Sequence, residues 1–414
     1  MATGGPEDAL PGSGLLGGRR GRATLVMLAL RIAYAYNWFD LGPALPAISS
    51  EFGLAPTAWG ELVAVFLVGA GLLQVPSGLL ARRYGTRAVS IAGAALLGVA
   101  GVAAGLAPSF PALLVLRFVG GAGAGLFFSP AIALVGQLYP EGERGVPVGT
   151  FSSAFSAGAG LGIFGPALLV PLIGWRGSFV VGGVVLVALL LPALGAVPRT
   201  VGPPPPADRR APTGVPAALR SRGVWAIGIA FIGLEGASLS AAQYFVPFAE
   251  TIQGWTPALA GAVGALFVFP SFFGGPPGGH VAERFASRRT QMILATALPS
   301  ALLVLVPVAG LAATCAIAVT FSFGFGMVYA MMYVVAPYLP GIRADEVSLA
   351  IGLLNAIQIS GGAAVAQVTA FVVEHDGYTW AWVSLAGLVL LPLAALAFVP
   401  VIQRPGEAPK PGPE

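Results

Sequence analysis

Gly78-Leu79-Leu80-Ala81-Arg82-Arg83-Tyr84-Gly85-Thr86-Arg87 returns in altered form as Gly279-His280-Val281-Ala282-Glu283-Arg284-Phe285-Ala286-Ser287-Arg288. Gly78 answers to Gly279, Arg82 to Glu283, Arg83 to Arg284 and Tyr84 to Phe285, all at one offset. The pairs Tyr139-Pro140 and Leu339-Pro340 recur at nearly the same offset. Both charged stretches are short islands between long apolar runs. Over its 414 residues the chain is 56% apolar and 9% charged, whereas a soluble domain carries about 25% charged residues. Most of its surface therefore faces something other than water. Crossing the hydrocarbon takes about 20 apolar residues per helix, and the chain holds twelve such runs. They fall near 24–48, 57–81, 88–107, 110–139, 147–172 and 177–198, then 223–250, 256–282, 290–311, 314–340, 347–374 and 379–402. The repeat and the runs together predict an all-α membrane protein with twelve transmembrane helices in two pseudo-symmetric six-helix bundles.

The connections support that division. Residues 1–23 are rich in Gly and Pro, carry Arg19, Arg20 and Arg22, and read as a disordered tail. The longest connection, 199–222, contains Pro203-Pro204-Pro205-Pro206 and reads as an extended linker between bundles 24–198 and 223–402, with 403–414 as a second tail. Most of the 21 basic residues sit in the tails, the linker and alternate turns. The positive-inside rule then places both termini in the cytoplasm. This clustering also explains the net charge of +4 without nucleic acid. One cysteine and two histidines leave no disulfide framework and no multi-histidine metal site. No cofactor is expected. The 59 glycines and 36 prolines lie largely inside apolar runs, where small residues allow close helix contact and kinks are tolerated.

On these residues the chain resembles the major facilitator superfamily over nearly its whole length. The Gly78–Arg87 turn is similar to that family's Gly-x-x-x-Asp-Arg-x-Gly-Arg-Arg loop, with Arg82 at the usual acidic position and Glu283 keeping the acid in the second copy. Arg117-Phe118-Val119-Gly120-Gly121 resembles a second family signature, an intramembrane arginine before small residues. Asn37-Trp38-Phe39-Asp40 resembles the first span of the anion–cation symporters, with Leu41 where an arginine commonly follows. Gly158-Ala159-Gly160-Leu161-Gly162 through Pro166 resembles instead an antiporter signature lacking its closing glycines. The resemblance implies a transporter rather than an enzyme. It also makes Gly78, Arg82, Arg83, Gly85 and Arg87, with Gly279, Glu283 and Arg284, the gating loops.

Ionisable groups in hydrocarbon are costly and are functional candidates by default. Asp40 and Arg117 fall at similar depths, ~9 and ~10 Å from the outer side at 1.5 Å per residue, so they can pair. Two readings of the pair stand: protonation of Asp40 frees Arg117 and couples protons to transport, or the pair is static. Arg31, nine residues before Asp40, points to the opposite helix face and reads as snorkelling to the headgroups. Glu235 lies ~18 Å deep, and with no histidine at the midplane it is a second candidate proton carrier. Tyr34, Asn37, Gln243, Tyr244, Asn355 and Gln358 are candidates for the substrate path, although each could equally glue helices together. Trp38, Trp59, Trp175, Trp255, Trp380 and Trp382 read as an interfacial belt.

The expectation is a monomeric secondary transporter in the lipid bilayer that moves a small organic solute by alternating access. Protons are the simplest coupling ion and uptake or exchange of a small organic anion is preferred, with proton-coupled drug efflux as the alternative. A non-transporting membrane sensor is the distant third reading.

Overall fold

The computed structural model describes residues 18–140, 143, 145–198, 217–284, 288–335, 339, 342 and 347–399. Among the described residues there is no strand; nearly every one is helical. Helices α1 (Gly18–Phe39), α2 (Leu45–Phe52), α3 (Thr57–Tyr84), α4 (Thr86–Gly105), α5 (Phe110–Gln137) and α6 (Gly145–Ala196) build the first bundle. A single turn, α7 (Ala217–Arg220), leads into α8 (Arg222–Ala230), α9 (Ile232–Thr251), α10 (Pro257–Ala265), α11 (Ser271–Arg284), α12 (Arg288–Ala301), α13 (Leu311–Val335) and α14 (Val347–Leu390). Eight segments are long and apolar enough to cross a membrane. Two of them, 51 and 49 residues long, each break once, at Gly174 (φ 72°) and Gly377 (φ 80°). A side chain is strained at such φ values and glycine is not, so each long segment accommodates two crossings. With α1 and the interrupted α10–α11 rod, the arrangement is consistent with twelve. This is an integral, multi-pass membrane fold.

The internal repeat runs further than the loop motif indicated. Helix α3 starts at Thr57 and the α10–α11 rod at Pro257; they end at Tyr84 and Arg284. The breaks at Gly174 and Gly377 occupy corresponding places. Two seams join the bundles, α3 against α14 and α6 against α10 and α11, and the repeat exchanges one for the other. Along the first seam Gly60 abuts Gln367 and Ala370, and Gly71 abuts Ser360. Along the second, Gly261 abuts Ala167 and Gly264 abuts Ile163. A side chain at any of these glycines would collide with the opposite bundle. Gly78, Gly149, Gly275, Gly279 and Gly352, nearer the end where α1 starts, have nothing within 4 Å. That end is called the terminal end below, and the other the far end.

Four expectations change. Helix α1 begins at Gly18, so residues 18–23 are helical, while the rest of that expected tail, residues 199–216 of the linker and the 403–414 tail lie outside the described residues. The first span does not run unbroken to 48: it ends at Phe39, and Gly42-Pro43-Ala44 forms a tight turn before α2. Proline lacks the N–H that would continue the helix. The expected tryptophan belt is mostly core instead. Trp38, Trp59, Trp175 and Trp382 are buried and only Trp380, at 61% exposure, faces outward. The rings pack on one another, as Trp382 does on Phe267 at 5.7 Å. Lastly, Arg31 does not snorkel; it is 4% exposed.

Candidate functional site

Helix α1 carries charge on two opposite faces, and its surroundings treat them differently. On the back face, Asp40 sits just past the last turn of α1 and is buried, in a small cavity lined by Phe66, Leu97, Leu116 and Phe179. Arg117 of α5 meets it with Nη1 3.2 Å from Oδ1. The guanidinium lies over the Phe66 ring at 4.5 Å. Asn37 lines the same small cavity with Asp40 and Arg117 and donates to the carbonyls of Ala33 (2.8 Å) and Gly182 (3.2 Å). All these partners belong to the first bundle. Asn37, expected on the substrate path, ties α1 to α6 through its amide nitrogen, while its Oδ1 is buried without a hydrogen-bond partner.

On the front face, Arg31, Tyr34 and Trp38 follow at helical spacing. The Arg31 guanidinium stands 4.7 Å from the Phe128 and Phe155 ring centres, 4.8 Å from Tyr34 and 5.5 Å from Phe151. Cationic groups are attracted to ring faces at this range, so α5 and α6 supply an aromatic cage for a buried cation. This face meets the second bundle. The Trp38 carbonyl accepts from Gln243 of α9 at 2.9 Å, and Glu235 lies two turns earlier on α9, its Cγ beside Gly362 of α14. Glu235 is half-buried, and its Oε2 has no hydrogen-bond partner. Of the expected residues, the structure brings Gln243 across to α1 of the other bundle.

The remaining expected path residues divide. Tyr244 donates to the Ala366 carbonyl at 3.1 Å and ties α9 to α14 within the second bundle. Asn355 accepts from Tyr329 at 3.1 Å, and Gln358 reaches the Met332 sulfur at 2.8 Å, both between α13 and α14. The gating-loop residues do not bridge the bundles in the described part. Gly85 (φ 88°) divides α3 from α4, Arg83 lies over Tyr84, and Arg87 donates to the carbonyls of Val197 and Leu194 at the end of α6. The side chains of Arg82, Glu283 and Arg284 lie outside the described residues.

At the far end the bundles are fastened. Helix α3 has no side-chain cap of its own, and the Thr57 amide donates instead to Glu374 of α14 at 2.9 Å, as does its hydroxyl. A carboxylate at a helix N-terminus meets free N–H groups and the positive end of the dipole. Within the first bundle Arg176 clamps Glu51 at 2.6 Å and the carbonyls of Gly105 and Ala107, and this keeps the Glu51 carboxyl below its ordinary range. Among the described residues no cluster of three metal-ligating side chains occurs.

Two repeats of membrane helices joined along paired seams, with buried charges at the boundary, define a multi-pass carrier fold. The Major Facilitator Superfamily model matches residues 27–344 and 236–414, and the chain belongs to that family; it is a transporter-family protein, not an enzyme. A probable nitrate/nitrite antiporter, NarK1 of Thermus thermophilus, is 29% identical over 64% of this chain and 61% of its own length. The 4-hydroxybenzoate transporter PcaK of Pseudomonas aeruginosa is 29% identical over 39% of this chain and 36% of its own. These two matches thus span under two thirds of each relative. Among solved structures, a D-xylose-proton symporter superimposes with a TM-score of 0.72 at 16% identity, covering 92% of this chain and 98% of that one. A bacterial homolog of the lysosomal transporter Spinster, inward-facing and occupied, gives 0.68 at 19% identity, covering 94% and 95%. At these identities the likeness is one of fold.

Proposed function

We propose that the protein is a secondary active transporter that carries a small organic anion by alternating access, coupled to protons, with Arg31 as the anion's anchor. The observation that carries this is the buried Arg31 guanidinium, caged by Tyr34, Phe128, Phe151 and Phe155 on the α1 face that meets α9. A guanidinium presents a flat fork of donors that matches a carboxylate or another planar oxyanion. Flat rings beside it suit a flat ligand. The seams support the rocking motion: glycines fit bundle to bundle toward the far end, while those toward the terminal end border open space. In this reading the terminal end is cytoplasmic, the protein rests open toward it, and separation of the seams opens the far end. Glu235 carries the proton, because its Oε2 has no hydrogen-bond partner, whereas Asp40 is already held by Arg117.

The test is uptake of radiolabelled 4-hydroxybenzoate, galactonate and nitrate into proteoliposomes under an inward proton gradient. Gradient-driven accumulation of at least one, abolished in Arg31→Gln that remains folded, is the expected result. Movement of lipophilic cations against the gradient, with all three anions excluded, would replace this reading with drug efflux.

A further inference from the structure

We propose that the back face of α1 holds one buried water molecule, which accepts a hydrogen bond from Arg117 and donates to Asn37 and Asp40. The site is a cavity of about 10 Å³, walled by Asn37, Asp40 and Arg117 together with Leu97, Ala100 and Gly120. The three polar residues are 2%, 1% and 6% exposed, so bulk water does not serve them. Among the described residues, Asn37 Oδ1 and Arg117 Nε have no hydrogen-bond partner. A buried donor or acceptor left unmade is costly, and here two such atoms belong to residues of one cavity.

The neighbours of Asn37 fix which way its amide points. Its nitrogen donates to the Ala33 and Gly182 carbonyls at 2.8 and 3.2 Å. A carbonyl accepts only from an N–H or O–H, so the other amide atom is the oxygen. That oxygen stands beside Gly101, itself a cavity wall, where an added Cβ would lie 2.9 Å from it. Arg117 is placed by Nη1 on the Asp40 carboxylate at 3.2 Å and by the Phe66 ring at 4.5 Å. Its Nε–H is a donor left over.

The two orphans are of opposite kind, and this selects the ligand. It must give a hydrogen to one and receive a hydrogen from the other. An anion would face the Asn37 oxygen and the Asp40 carboxylate, and a metal cation would face the guanidinium. Asp40 and Arg117 already neutralise each other, which leaves no charge for an ion to balance. A cavity of this size takes one water and no larger solute. Water that accepts from Arg117 Nε and donates to Asn37 Oδ1 and to the Asp40 carboxylate makes three bonds, the usual number for a buried water. All the walls come from the first bundle, so movement of one bundle against the other leaves the site whole.

Gly120 supplies the test. A Cβ there would point into the cavity, 3.6 Å from Ala100 and Leu97 and 3.7 Å from Phe66, which are ordinary contacts with its walls. In a dry cavity Gly120→Ala would raise Tm, because it fills apolar space and alanine suits a helix interior better than glycine. In a hydrated one the methyl displaces the water and orphans both polar atoms. Gly120→Ser instead puts a hydroxyl, donor and acceptor at once, where the water was. The measurement is thermal unfolding in detergent of the unmodified protein, Gly120→Ala and Gly120→Ser. Gly120→Ala is expected to unfold a few degrees below both of the others. A Tm for Gly120→Ala at or above either one overturns the inference. A density map of the unmodified protein that resolves ordered waters gives the direct check. A peak between Asn37, Asp40 and Arg117 is expected, and its absence where other buried waters are seen overturns the inference whatever the variants do.

Discussion

The back and front faces of α1 each carry a charge, and only their partners differ. Asp40 meets Arg117 inside one bundle, at 3.2 Å. Arg31 meets rings from its own bundle, on the helix face whose Trp38 carbonyl accepts from Gln243 of the other. A pair closed within one rigid bundle keeps its geometry when bundles rock. A pair shared between bundles changes separation with every cycle. The first arrangement suits holding α1 in place, and the second suits sensing a ligand and a proton.

The contrast can be broken most forcefully at the back face. Asp40→Asn leaves a buried guanidinium without its counter-charge, which should cost about 3 kcal/mol of stability, read as a lowered Tm in detergent. Proton-coupled anion uptake should persist in the molecules that still fold. At the front face, Arg31→Gln should weaken anion binding about 100-fold, in keeping with roughly 2–5 kcal/mol for truncating a buried charged partner, with a much smaller change in Tm. Equal losses of stability from both substitutions would erase the distinction.

The seams offer smaller perturbations. Valine at Gly60 must push against the Gln367 backbone, 2.8 Å from the added Cβ. Overpacking of this kind costs about 1–3 kcal/mol. Gly60→Val should therefore favour the far-end-open form roughly tenfold or more, seen as faster labelling of a cysteine introduced near Thr57 in a Cys315→Ser background. Glu374→Gln should shift the same labelling only about twofold, as expected for an exposed polar fastening.

Much of the fold is legible in the sequence because hydrocarbon imposes a simple rule: apolar runs of a set length with charges in the turns. The repeat around Gly78 and Gly279, and the depths of Asp40 and Arg117, follow from counting residues. Trp59, Trp175 and Trp382 resisted counting, since interfacial and core tryptophans have the same spacing near span ends; only packing against Tyr244, Phe179 and Phe267 separates them. Arg31 resisted for a related reason. Its depth fits snorkelling, and its cage is assembled from Phe128, Phe151 and Phe155, nearly a hundred or more positions away. The signal that was available is the spacing of Arg31, Tyr34 and Trp38 on one helical face opposite Asp40. The bond from Asn37 to the Gly182 carbonyl was not legible, because a polar group in an apolar run gives no hint of which neighbour it serves.

The central claim is that Glu235 carries the coupled proton. The direct test is the internal pH of proteoliposomes after external 4-hydroxybenzoate is added to the unmodified protein and to Glu235→Gln. The account predicts internal acidification with the unmodified protein, and anion entry without acidification in the variant. Acidification that persists undiminished in Glu235→Gln would contradict it and return the proton to Asp40.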